Sequence, residues 1–255
     1  MALFVDGPAC TIDDLVDQDS GLLETAQNVG INLTTKLRLG AQEVENEVQA
    51  WLDRPRSLFR WFPASGIRID QVVATAPLRL WLAMHTLELV YRDGYFSQLV
   101  DRYQAKWIQY SKLAREARDS FVAAGLGIVT DPMPLATPPL LRTVEGSQQG
   151  GTFYARVAWV NAAGQAGAAS AASILTVPDG HLMTVLAIDA PRNAVGFNVY
   201  AGWALEYLFQ QNDVAVPPGI AYYFTPSTAK RAGTIAGNGQ APEIIRPLPR
   251  SILRG

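Results

Sequence analysis

Asp131-Pro132-Met133-Pro134-Leu135-Ala136-Thr137-Pro138-Pro139 (DPMPLATPP) divides the chain into two stretches of different periodicity. Its prolines remove backbone donors and push the residues before them into extended conformations. The stretch therefore reads as a stiff, proline-rich linker over 129–141. Upstream, Leu, Arg and Glu recur at helical spacing; downstream, Gly, Ala, Pro, Thr and Val fall in short alternating runs. The change predicts an α+β chain in two segregated domains. An N-terminal α-helical bundle over 1–128 precedes a C-terminal immunoglobulin/fibronectin III-like β-sandwich over 142–243, and an extended basic tail covers 244–255.

Working back from the seam, Thr11-Ile12-Asp13-Asp14 has the form of a helix start, with Thr11 as N-cap and acids in the first turn where the helix dipole favours them. A short helix to about Gln18 follows. From Leu33 the apolar positions Leu33, Leu37, Ala41, Val44, Val48 and Trp51 recur at steps of three and four, closing before Pro55. Pro77 suits the first turn of a very apolar helix running to about Tyr91. The strongest signal comes next, where Phe96, Val100, Tyr103, Trp107, Tyr110, Ala114, Ala117 and Phe121 alternate steps of four and three. Ser97 can cap that helix and Gly125 can stop it, giving about 28 residues or roughly 42 Å. Arg102, Lys106, Lys112, Arg115, Glu116, Arg118 and Asp119 fall on its other faces. They read either as a subunit-packing surface or as a solvated face.

Beyond the seam the period changes from 3.6 to 2. Thr152–Val160 (TFYARVAWV) places Phe153, Ala155, Val157 and Trp159 on one face. Further strands are predicted over Ser173–Val177, Leu182–Ile188, Gly196–Gly202, Leu205–Gln210 and Ile220–Thr225. Short strands separated by Gly, Pro and Asn signals suggest the sandwich. The closing Arg246-Pro247-Leu248-Pro249-Arg250-Ser251-Ile252-Leu253-Arg254-Gly255 alternates apolar and Arg residues and has no acid. It suits an extended segment that adds to a partner's sheet edge or groove, or a frayed terminus.

The 255 residues are 49% hydrophobic and 17% charged, with 21 Lys and Arg against 23 Asp and Glu. So even a balance argues against a protein that coats nucleic acid by neutralising phosphates. The single cysteine, Cys10, excludes an internal disulfide framework and Cys-rich zinc sites. No secretory leader is read in the first residues, and no run has the ~18 or more apolar residues of a membrane span. Catalytic inventory is thin. His85 lies in the most apolar helix and reads as a hydrogen-bonded core residue; His181 follows Pro178-Asp179-Gly180 at a turn. No G-x-S-x-G elbow, phosphate-cradling glycine loop or metal-ligand spacing is present. Asp13 and Asp17 share a helix face and leave a carboxylate-based glycosidase open, although acids near a helix start serve the dipole as well. Asp19 reads as part of a solvated helix end. Trp203, Tyr207, Tyr222 and Tyr223 offer faces for stacking on sugars or bases, a use that competes with ordinary sandwich packing.

Three stretches resemble the immunoglobulin-like or fibronectin-like domains of tailed-bacteriophage structural proteins: YARVAWVNAAGQAGAAS (Tyr154–Ser170), GFNVYAGWALEYLFQQNDVAVPPG (Gly196–Gly219) and AGNGQAPE (Ala236–Glu243). The Asn-Val-Tyr phrase, the Gln-Asn pair and the Pro-Gly turn carry most of it. In layout, the helical stretch is similar to the head-to-tail connector (adaptor) proteins of tailed phages. That resemblance implies a non-enzymatic virion subunit in the neck, assembled in the host cytoplasm. It would form a homo-oligomeric ring, commonly a dodecamer, that binds the portal on one side and a tail or nozzle protein on the other. Double-stranded DNA passes through such a ring during genome ejection without sequence-specific binding, and no cofactor, metal or membrane is involved. On this chain the helix bearing Arg102, Lys106, Lys112, Arg115 and Arg118 would face neighbouring subunits. Arg246, Leu248, Arg250, Ile252, Leu253 and Arg254 would form the docking tail. With 16 acids and 13 bases through residue 130, the helical stretch is mildly acidic, which is consistent with lining a channel that releases DNA. A receptor- or glycan-binding tail or capsid-decoration protein, working through the β-sandwich, is the alternative.

Overall fold

The computed structural model of the chain describes residues 2–53, 66–98 and 101–246. A helical region is followed by a β-strand region, and the chain separates into two compact units. One comprises Gly7–Ile128 together with the chain from Pro242 onward. The other comprises the chain up to Asp6 together with Val129–Ala241.

In the helical unit, α1 (Ile12–Gln18) starts where expected. The Thr11 side chain accepts from the Asp14 amide and the Asp14 carboxylate accepts from the Thr11 amide, at 3.2 and 2.7 Å. This reciprocal cap satisfies two of the donors that a helix start leaves open. A helix the sequence reading passed over, α2 (Leu22–Val29), begins at Gly21 with no side-chain cap and ends on left-handed Gly30. α3 (Leu33–Leu52) opens on Asn32, whose side chain accepts from the Thr35 amide at 2.9 Å. α4 (Ala76–Gln98) contacts α1, α2, α3 and the helix that follows it, and Leu78, Leu82, Leu87 and Val90 on it are fully buried. It runs past Tyr91, so Ser97 lies inside it and does not cap the next helix. Packing against α5 (Asp101–Ala124) explains the extension: Tyr91 stacks on Tyr110 at 5.3 Å and Tyr95 on Trp107 at 5.9 Å. Tyr103, Tyr110, Ala114, Ala117 and Phe121 are buried as the spacing predicts, whereas Phe96 is exposed and Val100 lies outside the described residues. Phe121 sits between Trp51 of α3 and Trp81 of α4, with centroids 5.7 and 5.5 Å away.

Gly125 ends α5 at φ +94° and leads into β1 (Leu126–Ile128). β1 pairs antiparallel with β9 (Glu243–Ile245), a strand that returns from the far end of the described chain. On its other side, the Gly127 carbonyl accepts from the Val73 amide at 2.9 Å.

The second unit holds a three-stranded sheet, β2 (Leu140–Glu145), β5 (His181–Leu186) and β8 (Tyr222–Phe224), in the order β2-β5-β8. Its four-stranded sheet has the order β4-β3-β6-β7, from β3 (Gly151–Asn161), β4 (Ser173–Val177), β6 (Ala194–Gly202) and β7 (Phe209–Gln210). Phe153, Ala155, Val157 and Trp159 of β3 share one face and are buried, as alternation predicts. They join Met183 and Val185 of β5, Phe197 and Val199 of β6 and Phe224 of β8 in one hydrophobic cluster. Met133 and Ala136, from the stretch read as a linker, are buried in that same cluster, and β2 begins at Leu140. The strand expected over Leu205–Gln210 forms only at Phe209–Gln210. Before it the chain turns, with the Tyr207 amide donating to the Ala204 carbonyl at 3.1 Å. β2 carries no alternation in the sequence, because four of its six residues are exposed and they fall on both faces of the strand.

A Cβ at Gly125 would lie 2.5 Å from the Ile245 carbonyl oxygen, and its positive φ strains any other residue. Gly125→Ala is expected to cost roughly 1–3 kcal/mol by urea unfolding. Hydrogen exchange should show the loss concentrated at residues 243–245.

Candidate functional site

The basic residues of α5 divide into two sets. Lys106 and Arg118 turn towards the rest of the helical unit: Lys106 Nζ donates to the Asp19 carboxylate at 2.5 Å, and Arg118 pairs with Glu47 of α3. Arg102 is exposed but folds onto its neighbour, with its guanidinium 4.6 Å from the Tyr103 ring centre and a hydrogen bond to the Tyr103 hydroxyl at 2.5 Å. Lys112 and Arg115 point outwards. Lys112 faces Glu116 one turn on at 3.7 Å, and Arg115 donates to the Ser111 carbonyl at 3.2 Å. With exposed Ile108 and Asp119 these two make a stripe along one face of α5, at steps of four, three and four. Of the tail residues, Arg246 is exposed and donates from Nε to the Ala124 carbonyl at 3.3 Å. Leu248, Arg250, Ile252, Leu253 and Arg254 lie outside the described residues.

Two polar centres lie within the helical unit. Asp19, expected in solvent, is buried. Its Oδ2 accepts from the Tyr91 hydroxyl at 2.5 Å, from Lys106 at 2.5 Å and from the Tyr110 hydroxyl at 3.1 Å. Burial pushes the carboxyl pKa up, but the hydrogen bonds from Lys106 and Tyr91, the Lys106 charge and the Tyr110 bond outweigh it, and the pKa is lowered. Burial and the Asp19 carboxylate push both tyrosine hydroxyls up, so they stay protonated donors. Nothing in the local sequence separates Asp19 from Asp13 or Asp17, which are exposed; its partners come from α4 and α5. The second centre is His85, with Nε2 2.7 Å from Glu43 and Nδ1 3.3 Å from Glu88. Burial disfavours the imidazolium, yet bonds to Glu88 and Glu43 and their charges prevail and raise its pKa. The two ring nitrogens are engaged on opposite sides by protein carboxylates, which makes His85 a crosslink between α3 and α4.

On the β unit, the quoted Gln-Asn pair serves the fold. Asn212 Oδ1 accepts from the Val199 amide at 2.7 Å, while Gln211 accepts from the Lys230 amide at 2.8 Å and donates to the Ala201 carbonyl at 2.9 Å. These side chains supply sheet hydrogen bonds where β7 stops. His181 touches the Asp179 carbonyl at 3.1 Å. Trp203 and Tyr207 are 40% and 67% exposed and, with Ala204, Phe209, Lys230 and Arg231, line an open cavity of about 350 Å³. Tyr222, expected beside them, packs against the core instead. Arg231 had no sequence signal; only the loop's return brings it over Trp203.

Among the described residues no three His, Cys, Asp or Glu side chains converge as a metal site, and no helix is long and apolar enough to cross a membrane. Buried Cys10 has its thiol pKa pushed up to about 12, chiefly by burial, so it remains protonated. Comparisons with family models, with curated proteins and with solved structures return no match.

A folded-state pKa below the ordinary 3.8 means that the Asp19 contribution to stability is complete above 3.8 and is lost as pH falls from there through the lowered folded-state value. Asp19→Asn should flatten this acid limb and cost roughly 2–4 kcal/mol by denaturant unfolding at neutral pH, since Lys106 loses its counter-charge. For His85 the sign reverses, because its pKa lies above the ordinary 6.5. Its contribution is complete below 6.5 and fades as pH rises through the raised value. His85→Gln should remove that alkaline decline from stability measured against pH.

Proposed function

We propose that the chain is a non-enzymatic structural subunit of a tailed-phage virion. In this reading, copies assemble into an adaptor ring between portal and tail, with a channel for DNA. The observation that carries it is the outward stripe of α5, where Ile108, Lys112, Arg115 and Asp119 present an apolar residue and charges of both signs on one face. Such a face can contact a neighbour of the same kind, and opposite charges set register and orientation more than raw affinity. A modest contact then suffices, because rotational closure repeats it once per subunit. Lys106 and Arg118, held within the subunit, contribute rigidity to the helix. The return of β9 to the helical unit supports the tail's role, since the basic segment beginning at Arg246 leaves from the unit assigned to the ring.

We read the β unit as an immunoglobulin-like sandwich. Pairing of β2 with β5 and of β3 with β6 matches the B–E and C–F pairings of that fold, and both sheets supply one core. β8 lies against β5 where strand D would, but arrives after β7, a departure from the immunoglobulin order. A second reading, a receptor- or glycan-binding decoration protein, is favoured by the exposed Trp203 and Tyr207 beside a cavity.

Native mass spectrometry and negative-stain imaging of the full chain, alone and with a portal protein, should reveal closed rings of about twelve copies. Lys112→Glu together with Arg115→Glu should reduce ring formation at least tenfold without changing the monomer's melting temperature. Monomers alone under both conditions would overturn the ring.

A further inference from the structure

The cavity on the β unit is built in a way that selects a ligand. Trp203 is anchored from beneath, edge-on to Phe153 at 6.2 Å and to Phe224 at 6.1 Å, both core residues. Its ring therefore has a fixed position. The Arg231 guanidinium lies 5.0 Å from the Trp203 ring centre, a contact that holds the fork over the ring without using its hydrogen-bond donors. Tyr207 stands at the opposite end of a tight turn. Gly202 permits that turn, because a Cβ there would lie 2.5 Å from the Tyr207 carbonyl oxygen.

The charge in the cavity is one-sided. Among the described residues, Arg231 and Lys230 line it and no carboxylate does. Lys230 has a partner, Asp213 at 2.5 Å, but Arg231 has no carboxylate within 4.0 Å among the described residues. A cation held over an aromatic floor beside an exposed ring accepts a ligand with a carboxylate at one edge and an apolar face at the other. The volume is at the low end of the roughly 300–1,000 Å³ usual for small-molecule sites. It suits one or two sugar rings. An extended acidic peptide fits less well, because strand addition needs an open sheet edge. Beyond β7 that edge is occupied, with the Gln210 amide donating to the Thr234 carbonyl at 2.8 Å and Phe209 bridged to Ile235.

We infer that the Trp203–Tyr207–Arg231 cavity binds an acidic saccharide, its carboxylate on Arg231 and the C–H face of its ring on Tyr207. The inference rests on the reading of the β unit as a glycan-binding part and adds the ligand's class and the residues that read it.

Titration calorimetry on the full chain, with tetragalacturonate, neutral cellotetraose and a poly-glutamate peptide as probes, tests it. Tetragalacturonate should bind and weaken as salt rises. Arg231→Ala and Tyr207→Ala, both exposed positions, should each reduce that binding about tenfold with the melting temperature unchanged. Equal binding of cellotetraose, or indifference to Arg231→Ala, would overturn the acidic class while leaving glycan binding standing. Binding of poly-glutamate with no saccharide bound would overturn the sugar. If none of the three probes bound, the inference and the glycan-binding reading would fall together.

Discussion

A carboxylate taken out of water fixes the helical unit. An ionised Asp in an apolar interior is costly unless nearly every lone pair is engaged, and the cost falls most steeply when the partners are a cation and hydroxyl donors already held in place. Asp19 meets that demand with Lys106, Tyr91 and Tyr110, from two helices distant in sequence. The turn between α1 and α2 is thereby tied to α4 and α5, and the stacked tyrosine pair is held face to face. Apolar packing along α4 supplies cohesion without direction. The Asp19 centre supplies direction, since sliding α5 by one turn would strand a charge.

The β unit solves a related problem with amides. Its short strands stop before their neighbours do, and each stop leaves backbone groups without a ladder. Asn212 and Gln211 take over beside β6, and Gln240 accepts from the Met133 amide at 2.6 Å while donating to the Asp131 carbonyl at 2.8 Å. Side-chain amides carry both a donor and an acceptor, so one residue can replace a missing strand position. Gln211, Asn212 and Gln240 are thus the residues that complete its sheets.

Long-range partners account for most of what the sequence left hidden. Periodicity marked α3 and α5 because each exposes one face and buries the other over many residues, and β3 because Phe153, Ala155, Val157 and Trp159 alternate in the sequence, although the second half of the strand is buried on both faces. It failed for α2, short and uncapped at Gly21, and for β1 and β9, which have three residues each. Thr11 was legible as a cap because its partner is three residues away, whereas Asp19 was not, because its partners are in α4 and α5. The aromatic wall of the cavity was visible as Trp203 and Tyr207. Its cation was not, since Arg231 comes from a loop beyond β8.

The two units are interleaved along the chain: the helical one is completed by β9, and the β one includes the residues before Gly7. During synthesis, α1 to α5 leave the ribosome before a single strand of the two larger sheets does. They nevertheless wait for the whole β unit to be made before β1 finds its partner. Domains generally fold as they emerge, N-terminal first. Here the earlier domain stays one strand short until translation has passed Ile245, which delays the display of its finished surface until the β unit has been made.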